Sequence, residues 1–542
     1  MHSHRWTLAS LCAFASALVF ACSSTPSGSG FGGGGASSGA ASGGGAGSGG
    51  GGYGGFGSGG SSSGSGGGTS SGGPTAACPA GLQCNVACSG GATTTLTGKV
   101  YDPAGKNPLY DIVVYVPAAP LSPLPKGVPT GADACSCPAL YKSGAFAAAA
   151  TGVDGSFTLK NVPVGADVPL VLQVGKWRRS LHVPVTACQA NALPDKSLTL
   201  PSTVAPGDTD DNMPDIAVST GSADSLECLM RRIGLPASEY VAGPGSTGHV
   251  HVFSGGQSID LSGGIPPTLP GPGGLAESPP MPGAPASPTS LWASQSQLMP
   301  YDITLLSCEG EETYEANPPA LEAYLNAGGR VFASHFHYAW FAGPIGTGQA
   351  YSAPADWGTH LASWTKDLGN DDNGVIGGSI VTALNASTGQ FAKGVALQQW
   401  LGLVGGLGQD GVPAADVSIY QPRYNAVVGP SDTPSQPWIT ASGASGSQTM
   451  YFSFDTPVSL TPPNAGPDPG GGPTYCGRAV FSDLHVAGNP STHDAAPPPG
   501  GCQAGDLSPQ EKALEFMLFD LSSCVIPDTV PPADAGVPST LQ

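Results

Sequence analysis

The sequence predicts a multidomain chain in which a β-sandwich precedes an α/β domain with a parallel sheet and long irregular insertions. Residues 78–204 contain short β-rich runs separated by turn residues, a pattern typical of a β-sandwich. Over residues 205–525, apolar strands alternate with amphipathic helices, which indicates a parallel sheet. We therefore expect two folded domains over these ranges and a disordered tail over residues 526–542.

The first 21 residues have the composition of a signal peptide. Arg5 supplies a positive charge, and the apolar run that follows is shorter than a membrane-spanning helix requires. The run ends in LVFAC, which resembles the lipobox of bacterial lipoproteins. This resemblance implies that Cys22 is lipidated and anchors the chain to a membrane. The alternative is an ordinary secretory signal followed by a coincidental cysteine.

Residues 22–77 are nearly all Gly, Ser, Ala and Thr. Such a segment buries too little apolar surface to offset its ordering entropy, so we expect a disordered stalk. As a flexible coil it would have a mean reach of roughly 40 Å. The lipid and the stalk together predict a cell-envelope protein that is bound to a membrane. We expect it at the outer membrane or cell surface rather than at the inner membrane.

The charge of the chain argues against one class of partner. Its net charge is −20, with only 18 lysine and arginine residues, which is unsuited to binding nucleic acid. We expect a glycan or other envelope material as the ligand instead.

Eleven of the 13 cysteines remain once Cys12 of the signal peptide and Cys22 are set aside. Export to an oxidising compartment makes disulfides the expected state. If pairing stays within domains, the second domain keeps one thiol, and Cys308 at the end of a predicted strand is the candidate. The disulfide candidates are Cys78, Cys84, Cys88, Cys135, Cys137, Cys188, Cys228, Cys476, Cys502 and Cys524.

Two segments of the first domain, GKVYDPAGKNPLYDIVVYVP and TGVDGSFTLKNVPVG, resemble carboxypeptidase regulatory-like (transthyretin-like) domains. The resemblance implies a seven-stranded sandwich without catalytic residues, which acts as a spacer or contacts a ligand such as carbohydrate. Its basic aromatic spot is Trp177, Arg178 and Arg179, which could stack on a sugar or hold a carboxylate. The alternative is that these three residues cap a hairpin.

The segments ITLLSCEG, ALEAYLNAGGRVFASHFH and GRAVFSDLHV resemble the class I glutamine amidotransferase-like fold and, within it, the ThuA-like group. The resemblance implies a flavodoxin-like parallel sheet, with Cys308, His485 and Glu309 as the catalytic candidates. However, Cys308 lacks the flanking glycines of a nucleophile elbow, and no glutamate lies two residues after His485. These departures predict a domain without the parent catalytic activity.

Pairs of histidines recur at the two-residue spacing of a strand, so each pair projects to one face. Together with His485 or an aspartate they could supply a transition-metal site. The metal candidates are His249, His251, His335, His337 and Asp483. The alternative is an aromatic cleft that binds a ligand without metal, with a wall formed by His335, His337, Tyr338 and Trp340. We expect no cofactor, and a divalent metal is the alternative.

These features predict a cell-envelope lipoprotein that displays a non-catalytic binding module. One alternative is a hydrolase or transferase that uses Cys308 with His485, or a His-lined metal. A structural envelope protein is the other alternative. A free, reactive Cys308 or a bound metal would favour the enzyme, and full oxidation around Cys308 would favour the binding module. A cleft near His335 that is filled by side chains would favour the structural protein.

Overall fold

The computed structural model describes residues 78–529, with gaps at 222, 246, 256–279, 346–349, 368–373, 444–445, 460–474, 487–495 and 504. The predicted signal peptide, Cys22, the stalk and most of the predicted tail lie outside the described residues. Within the described part, no helix is long and apolar enough to cross a bilayer.

The turn-rich amino-terminal region forms two four-stranded sheets, here called the N-terminal sheets. Their strands are β1 (Thr95–Tyr101), β2 (Val113–Pro117), β3 (Ala145–Ala150), β4 (Ser156–Lys160), β5 (Gly165–Val174), β6 (Trp177–Val185), β7 (Ala190–Ala192) and β8 (Leu198–Thr199). One sheet has the order β4–β1–β7, with β8 also paired to β1, and the other has the order β3–β2–β5–β6. Buried Leu96, Val114 and Leu170 come from both sheets and belong to one core.

Most of the remaining strands belong to one ten-stranded sheet, here called the large sheet. All of these remaining strands belong to the large sheet except β14 and β17, which form a separate pair. They are β9 (Ile216–Thr220), β10 (Tyr240–Ala242), β11 (Val250–Ser254), β12 (Ile303–Leu306), β13 (Arg330–Ser334), β14 (Ser363–Trp364), β15 (Val375–Ile380), β16 (Val417–Tyr420), β17 (Ala426–Val427), β18 (Ser435–Gly443), β19 (Gly446–Thr456) and β20 (Gly477–Ser482). The order is β10–β11–β9–β12–β13–β20–β19–β18–β15–β16.

The large sheet is mixed, whereas the sequence predicted a parallel one. In the order of the sheet, the first six strands, β10, β11, β9, β12, β13 and β20, are parallel to their neighbours. The remaining pairs, from β20 through β19, β18 and β15 to β16, are antiparallel. The short link between β18 and β19 explains part of the difference, because a two-residue connection can join only antiparallel strands. The described chain is thus rich in β-structure and contains several sheets.

Seven α-helices accompany these sheets in the described chain. They are α1 (Leu226–Arg232), α2 (Ser287–Ser290), α3 (Gln295–Leu298), α4 (Pro318–Asn326), α5 (Ala339–Ala342), α6 (Ala392–Leu403) and α7 (Pro509–Ser522). Helix α7 begins where the sequence predicts, with Ser508 and Glu511 forming a capping box. Helices α2 and α3 are each four residues long.

The hairpin between β5 and β6 places Trp177 inside the protein rather than on its surface. Trp177 is fully buried and its ring lies 5.8 Å from that of Phe519 in α7. Arg178 is also buried and donates to three backbone carbonyls, while Arg179 donates to Thr199. In this structure Trp177 and Arg178 are thus buried, and all three residues contact the protein itself.

Ten cysteines form five disulfides in the described chain. The pairs are Cys78–Cys84, Cys88–Cys188, Cys135–Cys476, Cys137–Cys524 and Cys228–Cys502. The third and fourth pairs join the N-terminal sheets to the chain around β20 and α7, so pairing is not confined to the predicted domains. Among the described cysteines only Cys308 is free. All described residues belong to one compact unit.

Candidate functional site

Three neighbouring strands of the large sheet end beside one another and carry the candidate residues. Strands β12, β13 and β20 are adjacent and parallel. Cys308 follows β12, His335 follows β13 directly, and His485 follows β20. The carboxyl edge of a parallel sheet is where α/β proteins usually place their sites. The topology therefore gathers a thiol and two imidazoles at that edge.

Cys308 and His335 are in direct contact. The Cys308 Sγ lies 3.1 Å from His335 Nδ1, and His335 Nε2 lies 3.1 Å from the carbonyl oxygen of Asp367. Because a carbonyl can only accept, Nε2 carries the ring proton and Nδ1 presents its lone pair to the thiol. His335 has a φ of 47°, in the left-handed region, which turns its ring back towards the end of β12.

Backbone contacts fix the position of Cys308. Its N–H donates to Ser334 Oγ at 2.9 Å, and its carbonyl oxygen accepts from Ala223 N at 3.0 Å. The loop after β9 approaches so closely that a Cβ at Gly221 would collide with this carbonyl oxygen. A glycine is therefore required at this approach.

His485 completes the group. Its ring centroid lies 5.1 Å from that of His335, and its backbone carbonyl accepts from the Gln510 side chain. Within the described part of the chain the buried Nε2 of His485 has no hydrogen-bond partner, an unusual state for an interior polar atom. One ligand atom from each of Cys308, His335 and His485 lies within 4.8 Å of the other two.

Burial keeps this group uncharged. Burial raises the pKa of the Cys308 thiol to about 12. Burial lowers the pKa of His335 well below its usual value, and the neighbouring His485 and Arg423 add to the effect. The pKa of His485 is lowered by burial and then by Arg423. At neutral pH the site thus holds a protonated thiol and neutral imidazoles.

The predicted aromatic cleft is filled by its own side chains. His335, His337, Tyr338 and Trp340 are all buried, and Trp340 packs against Trp292. The Nε2 of His337 faces the Ser307 carbonyl at 2.8 Å, and its Nδ1 faces the Thr313 hydroxyl and the Trp340 indole. Both ring nitrogens of His337 are therefore occupied. In this structure these residues form packing rather than an open ligand-binding wall, and this observation favours the structural alternative for this cleft.

The structure brings only part of the predicted metal set together, because His335 lies beside His485 but His249 and His251 lie elsewhere. His249 contacts Glu239, and His251 contacts the Gly243 carbonyl, three strands away from β13 in the sheet. His251 also lies 3.5 Å from Asp215, which precedes β9, so it faces the opposite end of the strands. A strand period of two cannot show at which end of a sheet a histidine lies.

The remaining acidic candidates have backbone partners. The Asp483 carboxylate accepts from Asn425 N at 2.9 Å, and burial raises its pKa well above the usual value. Glu309 is buried and accepts from Tyr314 N at 3.2 Å. The residue in contact with Cys308 is His335 rather than the predicted His485.

Two positions at the site escaped sequence analysis. Arg423 is buried near the histidines, and its guanidinium donates to the carbonyls of Gln421 and Pro422. The carbonyl of Asp367, which fixes the proton on His335, belongs to a loop that no sequence motif marks. Comparisons with protein-family models, with curated proteins and with solved structures found no match.

Proposed function

We propose that this chain is a lipid-anchored cell-envelope protein that displays a non-catalytic binding module at the carboxyl edge of its large sheet. Cys308 is free in a chain whose other described cysteines are oxidised, but it is buried beside two imidazoles and is not exposed as a reactive thiol; this burial is the observation that carries the non-catalytic module. A thiol whose pKa is raised to about 12 by burial is a weak nucleophile at neutral pH.

The envelope location rests on the sequence. A signal-like segment that ends in Cys22, followed by a Gly/Ser-rich stalk, supports lipidation and display. Five disulfides fit an oxidising compartment. The finer fold assignment, a transthyretin-like sandwich before a flavodoxin-like, amidotransferase-like sheet, belongs to the same proposal. It is supported by the resembling segments and by the parallel half of the large sheet.

Anchoring is tested by metabolic labelling of the full chain with an alkyne-bearing fatty acid in a bacterial host. Wild-type protein is expected to take up the label and partition into detergent, and Cys22→Ala is expected to do neither. Cys12→Ala, which changes another cysteine of the leader, should behave like wild type. An unlabelled wild-type chain would overturn the lipid anchor.

A second function is favoured by one distance. The 3.1 Å contact between Cys308 Sγ and His335 Nδ1 is the spacing of a thiol and its general base in cysteine hydrolases and transferases. Labelling with iodoacetamide at neutral pH separates the two functions. An inert Cys308 in the native protein that reacts after unfolding in urea supports the binding module. Fast labelling of native Cys308 would transfer the proposal to the enzyme.

A further inference from the structure

The ligand of this binding module can be inferred from the donor atoms that converge there. We infer that Cys308, His335 and His485 bind a thiophilic transition-metal ion, the class to which Cu⁺ and Zn²⁺ belong. This inference rests on the proposed binding function and specifies its ligand. A bound metal would favour an enzyme if it faced a substrate, but Cys308, His335 and His485 are all buried, so an ion held by them would be enclosed by the protein. It differs from the metal set predicted from sequence, because His249, His251 and His337 do not take part.

The donor atoms are available. The thiol of Cys308 is not in a disulfide, and the Nδ1 of His335 holds a lone pair because its Nε2 donates to the Asp367 carbonyl. Metal-bound histidines commonly have this arrangement, in which the second nitrogen donates to a carbonyl. The Nε2 of His485 is buried and has no partner among the described residues, so a metal ion would satisfy an atom that this part of the chain leaves unpaired.

The spacing is close to that of a metal site. Metal–sulfur and metal–nitrogen bonds of about 2.3 and 2.0 Å in tetrahedral geometry place sulfur about 3.5 Å from nitrogen. The Cys308 Sγ to His335 Nδ1 distance is 3.1 Å, and one possible ligand atom from each of the three residues lies within 4.8 Å of the other two. Side-chain shifts of about 1 Å would bring all three to bonding distance.

The chemistry of the donors selects the ion. One sulfur and two imidazoles form a soft set that prefers copper or zinc to the oxygen-seeking Mg²⁺, Ca²⁺ and Mn²⁺. On binding, the S–H bond of Cys308 is replaced by a sulfur–metal bond, and the proton leaves to the buffer. Binding therefore releases one proton for each metal ion, without any change in oxidation state.

The test uses the mature full chain in detergent, produced in copper-rich or zinc-rich medium and passed through a weak chelator. Elemental analysis is expected to find about one ion per chain in one of the two preparations. X-ray absorption should then show one sulfur ligand at about 2.3 Å and nitrogen ligands at about 2.0 Å. Less than a tenth of an equivalent in both preparations, or a coordination sphere without sulfur, would overturn the inference.

Variants locate the ion. Cys308→Ser and His485→Gln are expected to lose the metal, whereas His182→Gln, which changes an exposed histidine of β6, should retain it. Circular dichroism identifies any variant that fails to fold. The X-ray absorption measurement on the wild type tests the inference even if a variant does not fold. Metal retained by folded Cys308→Ser would also overturn the inference. A lipidated chain with an inert thiol but no metal would leave the proposed function intact.

Discussion

The carboxyl groups of Asp102 and Glu515 are neighbours inside the protein, and each affects the ionisation of the other. Asp102 follows β1 of the N-terminal sheets, and Glu515 belongs to α7, so the pair lies where these parts of the chain meet. Both residues are buried, and Asn107 donates to Glu515 at 2.7 Å. Two buried carboxyl groups in contact cannot both ionise cheaply. Burial and the neighbouring Asp102 together raise the pKa of Glu515 well above its usual value of 4.5.

This pair predicts a loss of stability as the pH rises. The folded state retains a proton on Glu515 that the unfolded chain releases near pH 4.5, so its contribution is complete below that pH and declines towards the folded pKa. Within this window each pH unit should cost about 1.4 kcal/mol. Urea unfolding of wild type and Glu515→Gln from pH 4 to 8 should show the variant gaining relative stability as the pH rises. A difference between wild type and Glu515→Gln that stays constant over this range would contradict the prediction.

The long-range disulfides predict a second effect on stability. Cys135–Cys476 spans 341 residues, whereas Cys78–Cys84 spans six. A cross-link that closes a longer loop restricts the unfolded chain more strongly. Replacing both Cys135 and Cys476 with serine should lower the free energy of unfolding by about 2–5 kcal/mol in urea titrations. The matched change at Cys78 and Cys84 should cost less. Equal losses would show that loop closure does not control the effect.

The packing of Trp177 predicts a large loss from truncation. Trp177 is fully buried against Phe519, so Trp177→Ala should cost about 3–5 kcal/mol. Leu403→Ala, at a residue 58% exposed, should change stability by less than about 0.5 kcal/mol. Thermal or urea unfolding measures both variants. A mild effect at Trp177 would mean that the hairpin is not packed as described and would reopen its role in ligand binding.

The contact at Gly221 predicts a change in the reactivity of Cys308. A Cβ at this position would push against the Cys308 carbonyl, so Gly221→Ala should loosen the loop and expose the thiol. Iodoacetamide labelling of native Cys308 is expected to become faster than in wild type. Gly374→Ala, where an added Cβ meets nothing, is the control. An unchanged labelling rate in a folded Gly221→Ala variant would show that the loop does not protect the thiol.

The sequence predicted features that depend on neighbouring residues. The capping box of α7 is local, because Ser508 and Glu511 lie three residues apart, and the structure confirms it. The strand that ends before Cys308 is a short apolar run whose type and place could also be predicted. Local patterns of this kind are sufficient to predict individual helices and strands and the positions where strands end.

Features that depend on distant residues were not accessible. Spacing alone cannot determine disulfide connectivity, so the links from Cys135 and Cys137 to β20 and α7 could not be foreseen. Strand β15 (VIGGSI) lacks a clear alternation, which left the antiparallel half of the large sheet unpredicted. The contact of Cys308 with His335 depends on the left-handed backbone of His335, and no composition rule signals it.

The bond between Cys137 and Cys524 also constrains how this protein is made. Its two sulfurs are 387 residues apart in the chain, and Cys135 likewise needs a partner that is translated much later. Until those distant cysteines emerge, the thiols at 135 and 137 have only early cysteines with which to react. Maturation must therefore either delay oxidation or correct premature bonds. A disulfide isomerase in the compartment of assembly would therefore aid the folding of this chain more than the folding of a chain whose cysteines pair in the order in which they are synthesised.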